Sequence, residues 1–187
     1  RGLGDVYKRQ EDSLRGGNHK LRRFDVTHYN LRVSFNLPSK SIQGVCEITY
    51  QALAGLDTLQ IDLYKNLQID SILVEQSKVN FRRLGNFCFI PQYSSRQNKI
   101  KVYYHGVPQV SKNPPWDGGF VWETDSLGNP WLAVACEGSG ASLWWPCKDY
   151  LGDEPDSMNI SLEIPAELSA ISNGNLIKEK LLDHQRK

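Results

Sequence analysis

The residues with chemical potential crowd into one stretch, CEGSGASLWWPCKDYLGDEPD, residues 136 to 156. It holds two cysteines, two tryptophans, three glycines and five acidic residues. Its acids and thiols could ligate a metal, a single carboxylate could receive a cation, and the aromatics could stack on a ring. Spacing argues against the metal. Cys136 and Cys147 are separated by ten residues rather than paired as C-x-x-C. The acids Asp149, Asp153, Glu154 and Asp156 lack the D-x-D/N-x-D/N-G order of a calcium loop and read as a solvated turn. His19, His28, His105 and His184 are scattered, with no two at zinc-ligand spacing.

Glu137 is placed differently. It follows Trp131-Leu-Ala-Val-Ala135, an almost wholly apolar run that reads as a buried strand, and it opens directly into GSGAS. Small residues there let a backbone or a ligand approach closely. A carboxylate so placed could receive a cation, and a peptide α-amine is a natural one. On these residues alone the more ordinary reading is a salt-bridged glutamate closing a strand. H-E-x-x-H, G-x-S-x-G, a P-loop and G-x-G-x-x-G are all missing, so the residues present do not make a complete catalytic apparatus.

The elements that must position these residues belong to one domain. The chain has 187 residues, 40% of them apolar and 23% charged, which are ordinary globular values. With 22 basic and 21 acidic residues the formal charge is +1, giving no electrostatic reason to expect nucleic acid or an anionic membrane as partner. No run approaches the ~18 apolar residues of a membrane span. The four cysteines, Cys46, Cys88, Cys136 and Cys147, are too few for a disulfide scaffold and read as buried free thiols, with a Cys136–Cys147 bridge the alternative.

Period-two alternation dominates. Tyr29, Leu31, Val33, Phe35 and Leu37 alternate with polar residues, PSKS makes a turn, and Ile42 to Tyr50 alternate again as an antiparallel partner. Further strands are expected around Leu59–Leu63, Leu67–Val74 (with a bulge) and Ile100–Tyr104, and a hairpin is expected from Val79 and Phe81 across RRLGN to Phe87–Ile90. Phe120–Trp122, Trp131–Ala135 and Ile160–Ile164 complete eight to ten short strands without a convincing amphipathic helix. An all-β fold follows, an antiparallel sandwich or saddle-like sheet. Residues 112 to 130, KNPPWDGGFVWETDSLGNP, form a long structured loop feeding a hairpin, the kind of loop that lines a site or an interface.

From about Phe24 to Lys180 the chain resembles the N-terminal domain of the aminopeptidase N family of zinc metallopeptidases. DVTHYNLRVSFNL and IQGVCEITYQA look like that family's first two strands, and DTLQIDLYKNLQIDSILV is similar to its third and fourth. NPPWDGGFVWETDSLGNPWLAVACEGSGASLWWPCKDYLGDEPDSM is the most specific part and looks like a bacterial, Bacteroidetes-like branch, while PAELSAISNG resembles the close of the domain. The division this implies is a tail at 1–23, the β domain at 24–180 and the start of a following segment at 181–187. Residues 1 to 10, RGLGDVYKRQ, resemble read-through of a sequencing adaptor and are set aside, and IKEKLLDHQRK ends without a cap signal, as expected of a piece of a longer protein.

The resemblance implies a parent enzyme that removes N-terminal residues from peptides, using Zn2+ held by a catalytic domain that lies beyond this chain. Within such enzymes the β domain lends one strand-end acid or amide to the substrate's α-amino group. Counted back from Pro146-Cys147, that position is Glu137, flanked by Ala135, where the family often has Gln, and by Gly138. KDYLGDEP is four residues longer than the family's C-x-D-E-P, so neither Asp149 nor Asp153 is assigned a role. Trp144 and Trp145 are expected at the joint between domains. The implied partners are a peptide substrate and the catalytic domain of the same chain, and signal peptides in that branch favour a periplasmic or exported parent. The rival expectation is a non-catalytic β-sandwich that binds peptide or carbohydrate, with Trp116, Trp122, Trp144 and Trp145 as a stacking platform.

Overall fold

A computed structural model of the chain describes residues 19–92, 97–182 and 186–187; the adaptor-like residues 1 to 10 lie outside this range. The described elements are strands: β1 Phe24–Asn36, β2 Ser41–Ala52, β3 Thr58–Asp62, β4 Leu67–Val74, β5 Ser77–Val79, β6 Arg82–Leu84, β7 Phe87–Pro91, β8 Gln97–Gly106, β9 Gly119–Thr124, β10 Pro130–Ala135 and β11 Ser157–Glu163. Two single-turn 3-10 helices, Lys20–Arg22 and Ala141–Leu143, are the helical elements among the described residues. The all-β expectation therefore holds.

Strands order β11-β1-β2-β8-β4-β5 in a six-stranded sheet, β3-β7-β6 in a three-stranded sheet, and β9-β10 in a separate hairpin. The inward residues of β1 and β2, among them Leu31, Val33, Cys46 and Ile48, meet Leu59, Ile61, Ile90 and Cys88 of the smaller sheet in one apolar cluster. Each Leu or Ile fully withdrawn from water there contributes about 1.5–3 kcal/mol. The bulge in β4 falls between Ile69 and Ser71, where its register against β8 slips.

Three sequence expectations change. The sheet is mixed, because β11 pairs with β1 in parallel, His28 opposite Ser157. β11 follows the long connection 136–156 rather than a hairpin turn from β1, and only such a long connection permits parallel pairing. The arm opposite β7 is Arg82–Leu84, not Val79 and Phe81, because the turn falls at Gly85 and Asn86 and Val79 pairs with Ile72 of β4. And β3 does not alternate: Leu59, Gln60, Ile61 and Asp62 are all buried. One face of β3 meets the main core, and residues 141–149 cover it through Asp62 and Cys147, which exchange both backbone hydrogen bonds at 2.7 and 3.1 Å.

Candidate functional site

The β9–β10 hairpin delivers the chain to the turn that carries Glu137. Ala135 closes β10 opposite Gly119, and Cys136 accepts backbone hydrogen bonds from Ser139 (3.2 Å) and Gly140 (2.7 Å). Gly138 and Gly140 have φ of +69° and +77°, a region L side chains rarely occupy, so the tight return depends on glycine at both. The loop before β9 packs against this turn. Ser139 Oγ donates to the Asp117 carbonyl at 3.3 Å, and a Cβ on Gly118 would run into the Ser139 side chain. That loop is itself fixed by Asp117, whose carboxylate accepts from Ser111 Oγ and from the Lys112 and Asn113 amides. The Ser111 bond, then the backbone amides, hold the Asp117 carboxyl below its usual range.

Glu137 lies at the tip, exposed, with no hydrogen-bond or ion-pair partner among the described residues. Among the described residues, none forms the salt bridge of a strand-end glutamate with it. Nor does it emerge from a buried strand. Among the described residues β10 has one neighbour, β9, and its own residues are exposed or half-buried, Trp131 at 61% and Val134 at 38%. The apolar run WLAVA implied two-sided burial because composition does not reveal how many neighbours a strand has. Ala135 is half-buried and Gly138 is exposed.

Behind the tip, the stretch is tied down by buried polar groups that alternation did not reveal. Arg22 Nη2 meets Asp62 Oδ2 at 2.5 Å with both side chains almost fully buried. Arg22 Nη1 also donates to the Asp149 carbonyl (3.0 Å), and the Asp149 amide donates to Asp62 Oδ2 (3.0 Å). Gln60 Nε2 adds a bond to Asp62 Oδ1 at 2.9 Å. Burial pushes the Asp62 carboxyl up to about 6, against the pull of Arg22, Gln60 and the Asp149 amide. Ser142 Oγ donates to Asp149 Oδ2 (2.6 Å), while Lys148 pairs with Asp153 and donates to the Phe24 carbonyl. Asp149 and Asp153 are thus not a solvated turn: they close a buried network. The short acid-rich run looked hydrophilic because, Lys148 apart, the groups it packs against, Arg22, Asp62 and the Phe24 carbonyl, are distant in sequence.

The tryptophans separate in the same way. Trp145 is buried and meets the Tyr29 ring edge-on at 4.9 Å. Trp122 stacks on Phe120 at 5.4 Å, and Trp144 meets Phe120 edge-on at 6.3 Å. Trp116 alone of the four proposed platform residues is exposed, at 83%. The stacking platform is therefore not formed, and Trp145 belongs to the domain's own core. All four cysteines are free thiols, Cys136 half-buried and the others buried, and burial raises the pKa of each.

Among the described residues, no three His, Cys, Asp or Glu side chains converge as a metal-ligand group. No described helix is long and apolar enough to cross a membrane. What the site can do chemically is receive a cation at the exposed Glu137 carboxylate, on a glycine-built tip backed by the hydrogen-bonded network.

No family model and no curated protein matches the sequence. Its fold, however, matches solved structures. The M1 zinc metallopeptidase of Deinococcus radiodurans bound to a Tyr-Ser-Ala substrate is similar with a TM-score of 0.70 and 19% identity, over 88% of this chain and 38% of that one. Yeast LTA4 hydrolase in complex with bestatin is similar at 0.69 and 17% identity, over 100% of this chain and 30% of that one. At such identities the likeness is one of fold. The chain spans well under half the length of the structures it matches.

Proposed function

We propose that this chain is the N-terminal β domain, residues 24–180, of a zinc-dependent aminopeptidase, and that it supports the catalytic domain and anchors the substrate's α-amine at Glu137. The observation that carries the proposal is a fold shared with M1 zinc metallopeptidases over 88% of the chain. The long motif from Asn113 to Met158, read from sequence alone, points to the same family. An exposed carboxylate without a partner among the described residues, at the tip of a glycine turn, fits the anchoring role, since an α-ammonium would give it a charge-assisted partner.

Zinc does not fit the described residues, which bring no three ligands together. In the parent it would be held by the catalytic domain, where zinc supplies an activated water for peptide hydrolysis. This domain's own residues would bind and orient the free amine, with Ala135 and Gly138 flanking the anchor. A β domain without catalysis is the rival, but its four-tryptophan platform is not assembled here.

The complete protein should hydrolyse aminoacyl-p-nitroanilides, lose activity to a chelator and regain it with zinc. A complete protein that binds no zinc and hydrolyses no free-amine substrate would remove the peptidase reading and leave the binding module.

A further inference from the structure

We propose that Tyr64 and Ser142 are positioning residues for the Glu137 carboxylate, acting through a polar brace that ties the turn to β3 and the Lys20–Arg22 helix. The inference rests on Glu137 as the amine anchor and goes beyond it by naming what sets the anchor's location. Tyr64 holds the turn at two points: its hydroxyl donates to the Ser139 carbonyl at 3.2 Å, and its amide donates to the Ser142 carbonyl at 2.9 Å. Tyr64 is itself held by Arg83, whose guanidinium donates to the Leu63, Tyr64 and Leu67 carbonyls at 2.9, 2.8 and 2.6 Å. Ser142 reaches in the other direction, through Asp149 Oδ2, to the Arg22–Asp62 pair.

The chemistry of the brace is what marks it as geometric. Apolar side chains of similar volume commonly stabilise a core as well as a buried ion pair does. What a satisfied polar network adds is fixed direction, since each bond constrains an angle as well as a distance. Here the Tyr64 bonds end on Ser139 and Ser142, and the links through Asp149 end on the same segment, just C-terminal to the one exposed carboxylate of the turn. β10, on the other side of Glu137, offers little restraint because among the described residues it has a single neighbour, and its side chains are exposed or half-buried. The tip is therefore held from its C-terminal side. An ammonium–carboxylate contact needs placement within about 0.5 Å to be productive, and the Tyr64 and Ser142 bonds supply it.

The test deletes one hydroxyl at a time, Tyr64→Phe and Ser142→Ala, in the complete protein, alongside Glu137→Ala and each double variant. The readout is inhibition by an amino-acid hydroxamate and by its des-amino analogue, which keeps the zinc-binding group and loses the amine. The expected result is an amine inhibitor weakened about 5- to 10-fold in each single variant, with the des-amino analogue unchanged. In the Glu137→Ala background neither hydroxyl deletion should have any further effect. Damage to the fold in general would weaken both inhibitors, which overturns the proposal. Should Glu137→Ala weaken only the amine inhibitor while the hydroxyl variants weaken neither, the anchor stands and the brace does not. Should Glu137→Ala leave both inhibitors unchanged, the anchor reading fails, and the brace fails with it through that separate arm.

Discussion

Asp62 and Glu137 are two carboxylates held by the same corner of the molecule, and they differ in almost every physical respect. Asp62 is 1% exposed and accepts from Arg22, Gln60 and the Asp149 amide. Glu137 is exposed and has no partner among the described residues. A buried carboxylate must be satisfied where it stands, because leaving it unpaired costs several kcal/mol. A carboxylate in water carries no such demand, so its position is free to be set by a ligand. The comparison separates residues that hold the corner from an exposed residue that, among the described residues, holds none of it.

The sharpest way to break the contrast is to remove Arg22. Arg22→Ala strands Asp62 in the core and should lower unfolding stability by about 3–5 kcal/mol, read as a shift in denaturant midpoint. Trp145→Ala should cost about as much, 3–5 kcal/mol, because the ring fills core against Tyr29. Trp116→Ala should stay within about 0.5 kcal/mol. Equal losses at the two tryptophans would mean that the exposed one is structural after all.

A smaller effect comes from protons. The Asp62 carboxyl is raised from 3.8 to about 6 by burial, so the native state holds this proton more tightly than the unfolded chain. Its contribution to stability is fully present below the unfolded value and is lost as pH rises through about 6. Asp62→Asn should therefore flatten the decline of stability across that window. A slope unchanged by the substitution would show that Asp62 is ionised throughout, with Arg22 outweighing desolvation. The smallest expected stability effect is at the tip. Glu137→Ala should change unfolding stability by less than about 0.5 kcal/mol, and a larger loss would give Glu137 an internal partner.

Much of this fold is legible in the sequence because half-buried strands announce themselves by alternation. Tyr29 to Phe35 and Ile42 to Tyr50 could be paired by eye, and the β4 bulge shows as a break in the pattern at Leu67–Val74. Alternation fails where burial is two-sided. Asp62 sits between the apolar Ile61 and Leu63, which made it an outward residue, yet Arg22 and the return of residues 141–149 lie against it and it is buried. Arg22 could not be foreseen as its partner: the two are 40 positions apart and Arg22 lay in what read as a tail. The parallel β1–β11 pairing was hidden for a related reason, since it depends on the path of a long connection rather than on either strand. Glu137 was singled out by its place between an apolar run and GSGAS and by its position before Pro146-Cys147 in a family-like motif, and the apolar run suggested burial that β10 does not have.

The measurement that bears most directly on the account compares Glu137→Ala with the native complete protein, using kcat/KM on a free-amine aminoacyl substrate. The account predicts a loss of about tenfold or more, with the unfolding midpoint unmoved. An unchanged kcat/KM would contradict it and remove Glu137 from the site.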